Sequence, residues 1–470
     1  MKLIHSALSR VTGVLLLAGA ILVPYPGHAQ TNLVVLARDG AWTWYNDPRA
    51  LFHNGTLYFG YVRHGDGRTV LSAFNPRTAT TTDLWTSTLT ERDDHNVPGL
   101  LVRNDGRMLA LYARHNTDLF FNYRLSTSTS PDTPEQWGPE QRSADTAARM
   151  TYANPVQLSG ESNLIYNFAR NLNFNPTVFT SRDGGATWSE PMIYFRSGSG
   201  SVRPYVKIAS DGRRRIDFLY TDGHPRDVTN SLYHLYYESG VFRKTDGTAV
   251  GYFTNLPLDL DRGVSGSVIY QYSTEPQPDW NQWIPRGRAW CWEIVNGTGG
   301  PVCVFTVRLQ GVAGPNWRGN RIYYYYARWT GTEWQKRLIA QAGRPLYDRE
   351  GDYAGGICID PENPNVVYIS SNAREPFALG SAASSELAPD ERYEIWRGIT
   401  SDGGLTFKWE PVTTNSSVDN LRPYIPRGHQ GRPALLWFRG HYRAYTSFQT
   451  EVVGLFSTEL PLRAPGANAP

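Results

Sequence analysis

An eight-residue pattern occurs twice in this chain. Ser181-Arg182-Asp183-Gly184-Gly185-Ala186-Thr187-Trp188 and Thr400-Ser401-Asp402-Gly403-Gly404-Leu405-Thr406-Phe407 share the spacing S/T-x-D-x-G-x-T-aromatic. The Asp-Gly-Gly within each stretch is a turn signal. A second pattern, Arg203-Pro204-Tyr205, returns as Arg422-Pro423-Tyr424, each followed by a short strand and a Gly-containing turn. A hairpin unit cannot bury its apolar face alone, so repeated units stack on one another. Repetition around an axis gives a β-propeller. The expected fold class is all-β, a single-domain seven-bladed β-propeller over residues 30–470. Seven blades of about 60 residues are somewhat longer than the usual blade.

The strand pattern agrees. Thr56 to Val62, Ile216 to Tyr220, Arg321 to Tyr326 and Val366 to Ser370 are short aromatic and β-branched runs between turn clusters, and no long segment has a 3.6-residue apolar period. Lys2 and Arg10 precede the apolar run Val11 to Val23, and Gly27-His28-Ala29 offers small residues at the two positions that a signal peptidase reads. Residues 1–29 are expected to be a secretory signal, so the protein is expected to be secreted or periplasmic. No later stretch is long and apolar enough to span a membrane. Removing Lys2 and Arg10 from the 46 basic residues leaves 44 against 43 acidic ones. That balance argues against a nucleic-acid partner; a monomer is expected. Cys291 and Cys303 could pair and leave Cys358 free; equally, all three could be buried small residues.

Candidate functional groups sit at hairpin ends. Asn104-Asp105-Gly106 is a turn signal midway between His95 and His115. If Gly99 to Val102 pairs with Met108 to Tyr112 about that turn, the two histidines lie opposite each other at the open end. The alternatives are a bulge at Pro98, or two unrelated surface histidines. Likewise Ser159 to Ser162 lies midway between Tyr152 and Arg170, which places a Tyr/Arg pair at the open end of the next hairpin.

The chain resembles the secreted BNR-repeat propellers that include ulvan lyases and related rhamnose–glucuronate lyases. The resemblance runs through Gly40 to Arg49, Asp94-His95-Asn96, Arg114-His115, Thr151 to Pro155, Phe168-Ala169-Arg170, the repeated turns (which resemble the Asp-boxes of bacterial neuraminidases), Arg203-Pro204-Tyr205 and Thr221 to Asp227. It implies a lyase site in a central groove. The matching catalytic positions are His95, His115, Tyr152 and Arg170, with Arg226, His224 and Tyr205 as substrate-binding candidates. The implied partner is an acidic polysaccharide or oligosaccharide. No cofactor is required for the chemistry. Some family members hold a structural metal, and His224, His234 and Cys291 or Cys358 have zinc-ligand chemistry.

The residue types suit β-elimination. A uronate lyase removes the proton at C5, beside the carboxylate, and expels the 4-linked oxygen. Arg170, with a protonated histidine, can neutralise the carboxylate as charge builds. Tyr152, whose anion Arg170 would favour, or else His95 or His115, can take the proton. Other classes compete. A sialidase needs three arginines, of which Arg49 could be one, and a Tyr–Glu pair. A rhamnosidase-type hydrolase and a non-catalytic carbohydrate-binding propeller complete the set.

Overall fold

The computed structural model describes residues 31–197, 203–260, 266–310, 320–347, 350–379 and 391–457. The expected signal segment and its boundary at residue 29 lie outside the described residues. Seven antiparallel sheets surround one axis, and a separate two-stranded pair joins Phe195–Arg196 to Leu258–Asp259. The first blade begins with Ala50–His53, the second with Gly99–Val102, the third with Thr151–Leu158, the fourth with Val206–Ser210, the fifth with Arg288–Gly297, the sixth with Gly356–Ile359 and the seventh with Asp419–Tyr424. In the seventh blade the outermost strand is Thr31–Ala37, paired with Ser447–Ser457 from the other end of the chain. Hydrogen bonds between the two ends of the chain thus close the ring. The fourth blade carries six strands instead of four. No helix among the described residues is long and apolar enough to cross a membrane.

Neighbouring blades bury their faces against each other. Phe168 and Tyr166 of the third blade pack with Phe218 and Ile216 of the fourth, and Leu100 and Met108 of the second pack with Tyr58 and Leu71 of the first. Phe168 and Phe218 meet edge to face at 5.4 Å. Such a pair adds about 0.5–1.5 kcal/mol beyond its buried area. Gly99 is required by close approach: a Cβ there would stand 2.3 Å from the carbonyl oxygen of Ala153 on the third blade.

Both repeated turns form as expected. Asp183 accepts from Ala186 N, Thr187 N, Thr187 Oγ1 and Ser181 Oγ, and Trp188 packs edge-on to Phe121. Asp402 accepts the matching set from Leu405 N, Thr406 N, Thr406 Oγ1 and Thr400 Oγ1, and Phe407 packs on Tyr326.

The cysteine pairing does not occur. Cys291, Cys303 and Cys358 are all buried and free. Cys291 faces Phe305 across its hairpin and Cys303 faces Ile294, so the register holds the two thiols out of alignment.

Three inner strands carry a bulge near the axis. The register shifts between Thr151 and Asn154, between Cys291 and Glu293, and between Leu421 and Tyr424. Tyr152 and Arg422, within two of these bulges, have φ of 67° and 54°. That is uncommon backbone for such side chains. A bulge re-aims a side chain. Here the three shifts bring Tyr152, Trp292 and Arg422 into one axial aromatic layer with Trp44 and Tyr353.

Candidate active site

The first hairpin follows the expected register. Gly99 faces Leu111 and Val102 faces Met108, centred on the turn where Gly106 adopts φ 80°. Pro98 introduces no shift within this pairing. His95 lies just before the strand, in the single 3-10 turn Asp94–Asn96. Its ring stacks on that of His115 with centroids 4.0 Å apart and planes 13° apart.

The second hairpin departs from the expected register. It holds from Leu158–Leu164 up to Asn154–Phe168, and then the bulge pairs Arg170 with Thr151. Tyr152 is therefore not the direct cross-strand partner of Arg170. The bulge turns its ring inward, where the Arg170 guanidinium lies 4.9 Å from the ring centroid and Arg170 Nη1 lies 3.5 Å from the hydroxyl. The tyrosine and arginine still meet, through the bulge instead of the ladder.

Asp93, which the sequence reading passed over, joins the two histidines. It caps the 3-10 turn and accepts from the backbone N–H of His95. Its Oδ1 lies 2.6 Å from His95 Nδ1 and its Oδ2 lies 2.8 Å from His115 Nδ1. A carboxylate accepts only, so both Nδ1 atoms carry protons. Arg170 Nη2 lies 3.2 Å from His115 Nε2. Arginine donates only, so that Nε2 is the acceptor and His115 is neutral.

The electrostatics agree. Burial opposes charge on His95, but Asp93 and then Asp94 outweigh it and hold the imidazolium up to about 10. Burial and the neighbouring His95 charge push His115 down to about 4. Burial opposes ionisation of Asp93, yet the two histidines hold it well below the usual carboxylate range. One carboxylate between two stacked rings thus separates them into a charged and a neutral member. His95 is 3% exposed, whereas the His115 side chain is 21% exposed. His115 is the one within reach of a ligand.

Tyr152 corrects a second expectation. Burial first, then Tyr205, raises its pKa well above that of a free tyrosine; the opposing effect of Arg170 is smaller. It stays protonated, so the arginine does not produce a tyrosinate. Arg170 itself is 5% exposed and also reaches Tyr205, with Nη1 3.2 Å from the hydroxyl. Tyr205 therefore belongs to the cluster. A cavity of about 30 Å³, lined by Tyr45, Tyr152, Phe168, Arg170 and Tyr205, has room for a water.

His224 and Arg226 stand farther back. The His224 ring packs between Tyr205 and Trp290, at 5.4 Å and 4.7 Å, and its Nδ1 accepts from Arg226 N. Arg226 is paired with Asp227 at 3.0 Å and with Glu350 at 2.9 Å. Tyr445, also missed, lies in the turn of the last hairpin, edge-on to His95 at 5.1 Å and to His115 at 5.6 Å. Arg49 is held by Asp47 at 2.8 Å and lies over Tyr424.

The proposed zinc ligands do not assemble. His234 bonds Asp217 and Thr245, Cys291 lies against Tyr45 and the Tyr205 carbonyl, and Cys358 belongs to the sixth blade. Among the described residues, the one cluster with metal-ligand atoms is Asp93, His95 and His115. In this structure both of its Nδ1 atoms lie at hydrogen-bond distance from the Asp93 carboxylate.

Residues 56–342 match the BNR repeat-containing family. No curated protein matches the chain. Among solved structures, a polysaccharide lyase described as a PL25 ulvan lyase bound to -[GlcA(1-4)Rha3S]- is 13% identical with a TM-score of 0.62, over 90% of this chain and 95% of that one. A second PL25 ulvan lyase structure is 14% identical with a TM-score of 0.61 over the same shares. At these identities the likeness establishes the fold.

Proposed function

We propose that this chain, which belongs to the BNR repeat-containing family, is a polysaccharide lyase that cleaves a uronate-containing glycan by β-elimination. The observation that carries the reading is the division of two stacked histidines by Asp93 into one charged and one neutral ring, beside Arg170 and Tyr152. Groups whose environments push their pKa values apart are suited to opposite proton-transfer roles.

The roles follow from the chemistry of each group. The substrate carboxylate is taken by the Arg170 guanidinium, whose fork can hold two oxygens. That removes Arg170 from His115 and frees its Nε2 lone pair. His115, neutral through most of the pH range, then takes the C5 proton. His95, charged and buried beneath it, stabilises the negative charge that grows on the carboxylate side. Tyr152, kept protonated by burial, gives its proton to the departing 4-linked oxygen. The substrate class follows the fold relative: a glucuronate 4-linked to rhamnose, as in the ulvan bound by that lyase.

The hydrolytic readings find less support. Among the described residues, the groups recorded against Tyr152 are Tyr45, His95, Tyr205, Arg170 and Arg203, with no carboxylate among them. A sialidase nucleophile would need one. Incubation with rhamnose–glucuronate polysaccharides decides the matter. A lyase generates the ultraviolet absorbance of an unsaturated uronate. New reducing ends without that absorbance would sink the proposal in favour of a hydrolase, and binding without either product would favour a lectin.

A further inference from the structure

The repeated Arg-Pro-Tyr motif has two different fates. Arg203 pairs with Asp227 at 3.1 Å on the rim of the fourth blade. Arg422, at the matching place in the seventh, is 1% exposed, and none of its three side-chain nitrogens has a hydrogen-bond partner among the described residues. Its guanidinium carbon lies 4.3 Å from the Trp44 ring, 5.6 Å from Tyr442, 5.8 Å from Trp292 and 5.9 Å from Tyr353. Ring faces attract the charge. They do not satisfy five N–H groups that radiate in the guanidinium plane. A buried charge without a counter-charge is costly. The backbone is held at φ 54° to put the side chain there. Strain of that kind points to a use.

A second buried donor faces the same layer. The Tyr347 ring packs at 5.2 Å from Tyr353 and 5.7 Å from Tyr442, the two tyrosines flanking Arg422. Its hydroxyl is buried and likewise has no partner among the described residues. Tyr442 has no proton to offer a ligand there, since its hydroxyl donates to Asp94 at 2.6 Å.

We propose that Arg422, together with the Tyr347 hydroxyl, binds a small monovalent inorganic anion of chloride size in this axial aromatic layer. One negative charge balances one guanidinium. Phosphate or sulfate would bring two charges and many acceptor oxygens into a layer with few donors. The site adjoins the reactive cluster, and one link between them runs through Tyr442 and Asp94 to His95.

The probe is bromide. Crystals of the protein soaked in sodium bromide should show an anomalous peak within hydrogen-bonding reach of the Arg422 guanidinium. In solution, replacing sodium gluconate by sodium chloride at equal ionic strength should raise Tm by about 1–3 °C once chloride is some ten times its Kd. Arg422→Gln should abolish that response, and Tyr347→Phe should shift it to higher chloride. If Arg422→Gln fails to fold, the bromide map of the unaltered protein decides. A map with no peak at Arg422, or a wild-type Tm indifferent to chloride, overturns the proposal.

Discussion

Asp93→Asn tests the central electrostatic argument. Asp93 and Asp94 hold His95 up to about 10, against ~6.5 for a free imidazole, and each pH unit of that gap is worth about 1.36 kcal/mol. The whole gap is about 5 kcal/mol in favour of the imidazolium. Asp94, 3.1 Å from the same nitrogen, keeps its share, so removing the Asp93 charge should cost roughly 2–3 kcal/mol. The asparagine oxygen can accept one Nδ1–H, but its amide then faces the other histidine donor to donor. The sign is definite. His95 is raised on folding, so its contribution is whole below pH ~6.5 and is lost as pH rises through about 10. Asp93 is lowered on folding, so its contribution is present above pH ~3.9 and is lost as pH falls. The stability difference between wild type and variant should therefore be widest between about pH 4 and 6.5 and close above about pH 10. Urea denaturation at a series of pH values measures it. Initial rates of enoate formation should fall about 10²–10³-fold, the loss typical of a misdirected electrostatic group. A gap that stays constant from pH 6 to pH 10, with near-normal turnover, would refute the assignment of His95 as the charged ring.

Four further outcomes follow. Tyr152→Phe removes a hydroxyl whose contact with Arg170 is a long 3.5 Å; Tm should barely change while kcat collapses, and retained turnover would move the acid role elsewhere. Arg170→Lys keeps the charge but loses the fork reaching His115, Tyr152 and Tyr205; activity should drop, and the double variant with Tyr152→Phe should be little worse than either single change, because both act on one transition state. The acidic limb of kcat/KM should report His115 near pH 4, where protonation removes the base, and the alkaline limb should report loss of the His95 charge near pH 10; a single limb near pH 6.5 would argue against the divided pair. Asp183→Ala removes four hydrogen bonds from a turn distant from the reactive groups; it should cost about 1–2 kcal/mol of stability with kcat unchanged, as thermal melts and rate assays on one preparation would show.

What the sequence determined is local. The Asn-Asp-Gly turn and the alternation on either side set the register that pairs Gly99 with Leu111, because a two-residue period and a short turn leave no freedom between them. The Asp-containing turns were equally legible, since donors and acceptor lie within five residues of each other. The two hairpin turns, at Asn104 to Gly106 and at Ser159 to Ser162, paired His95 with His115 and Tyr152 with Arg170, and the resemblance to the lyase propellers named the four as one site. What the tertiary structure decided is how these groups are charged and aimed. The bulge at Tyr152 arises where the third blade's inner strand meets the second blade, and no turn signal encodes it. The charge division of the histidines depends on burial, and burial exists only once seven blades close. Tyr445 reaches the histidines from the last hairpin, and Arg422 reaches Trp44 from the opposite end of the sequence. Ring closure brings together groups separated by hundreds of residues, and a linear pattern with a period of two residues contains no term for that distance.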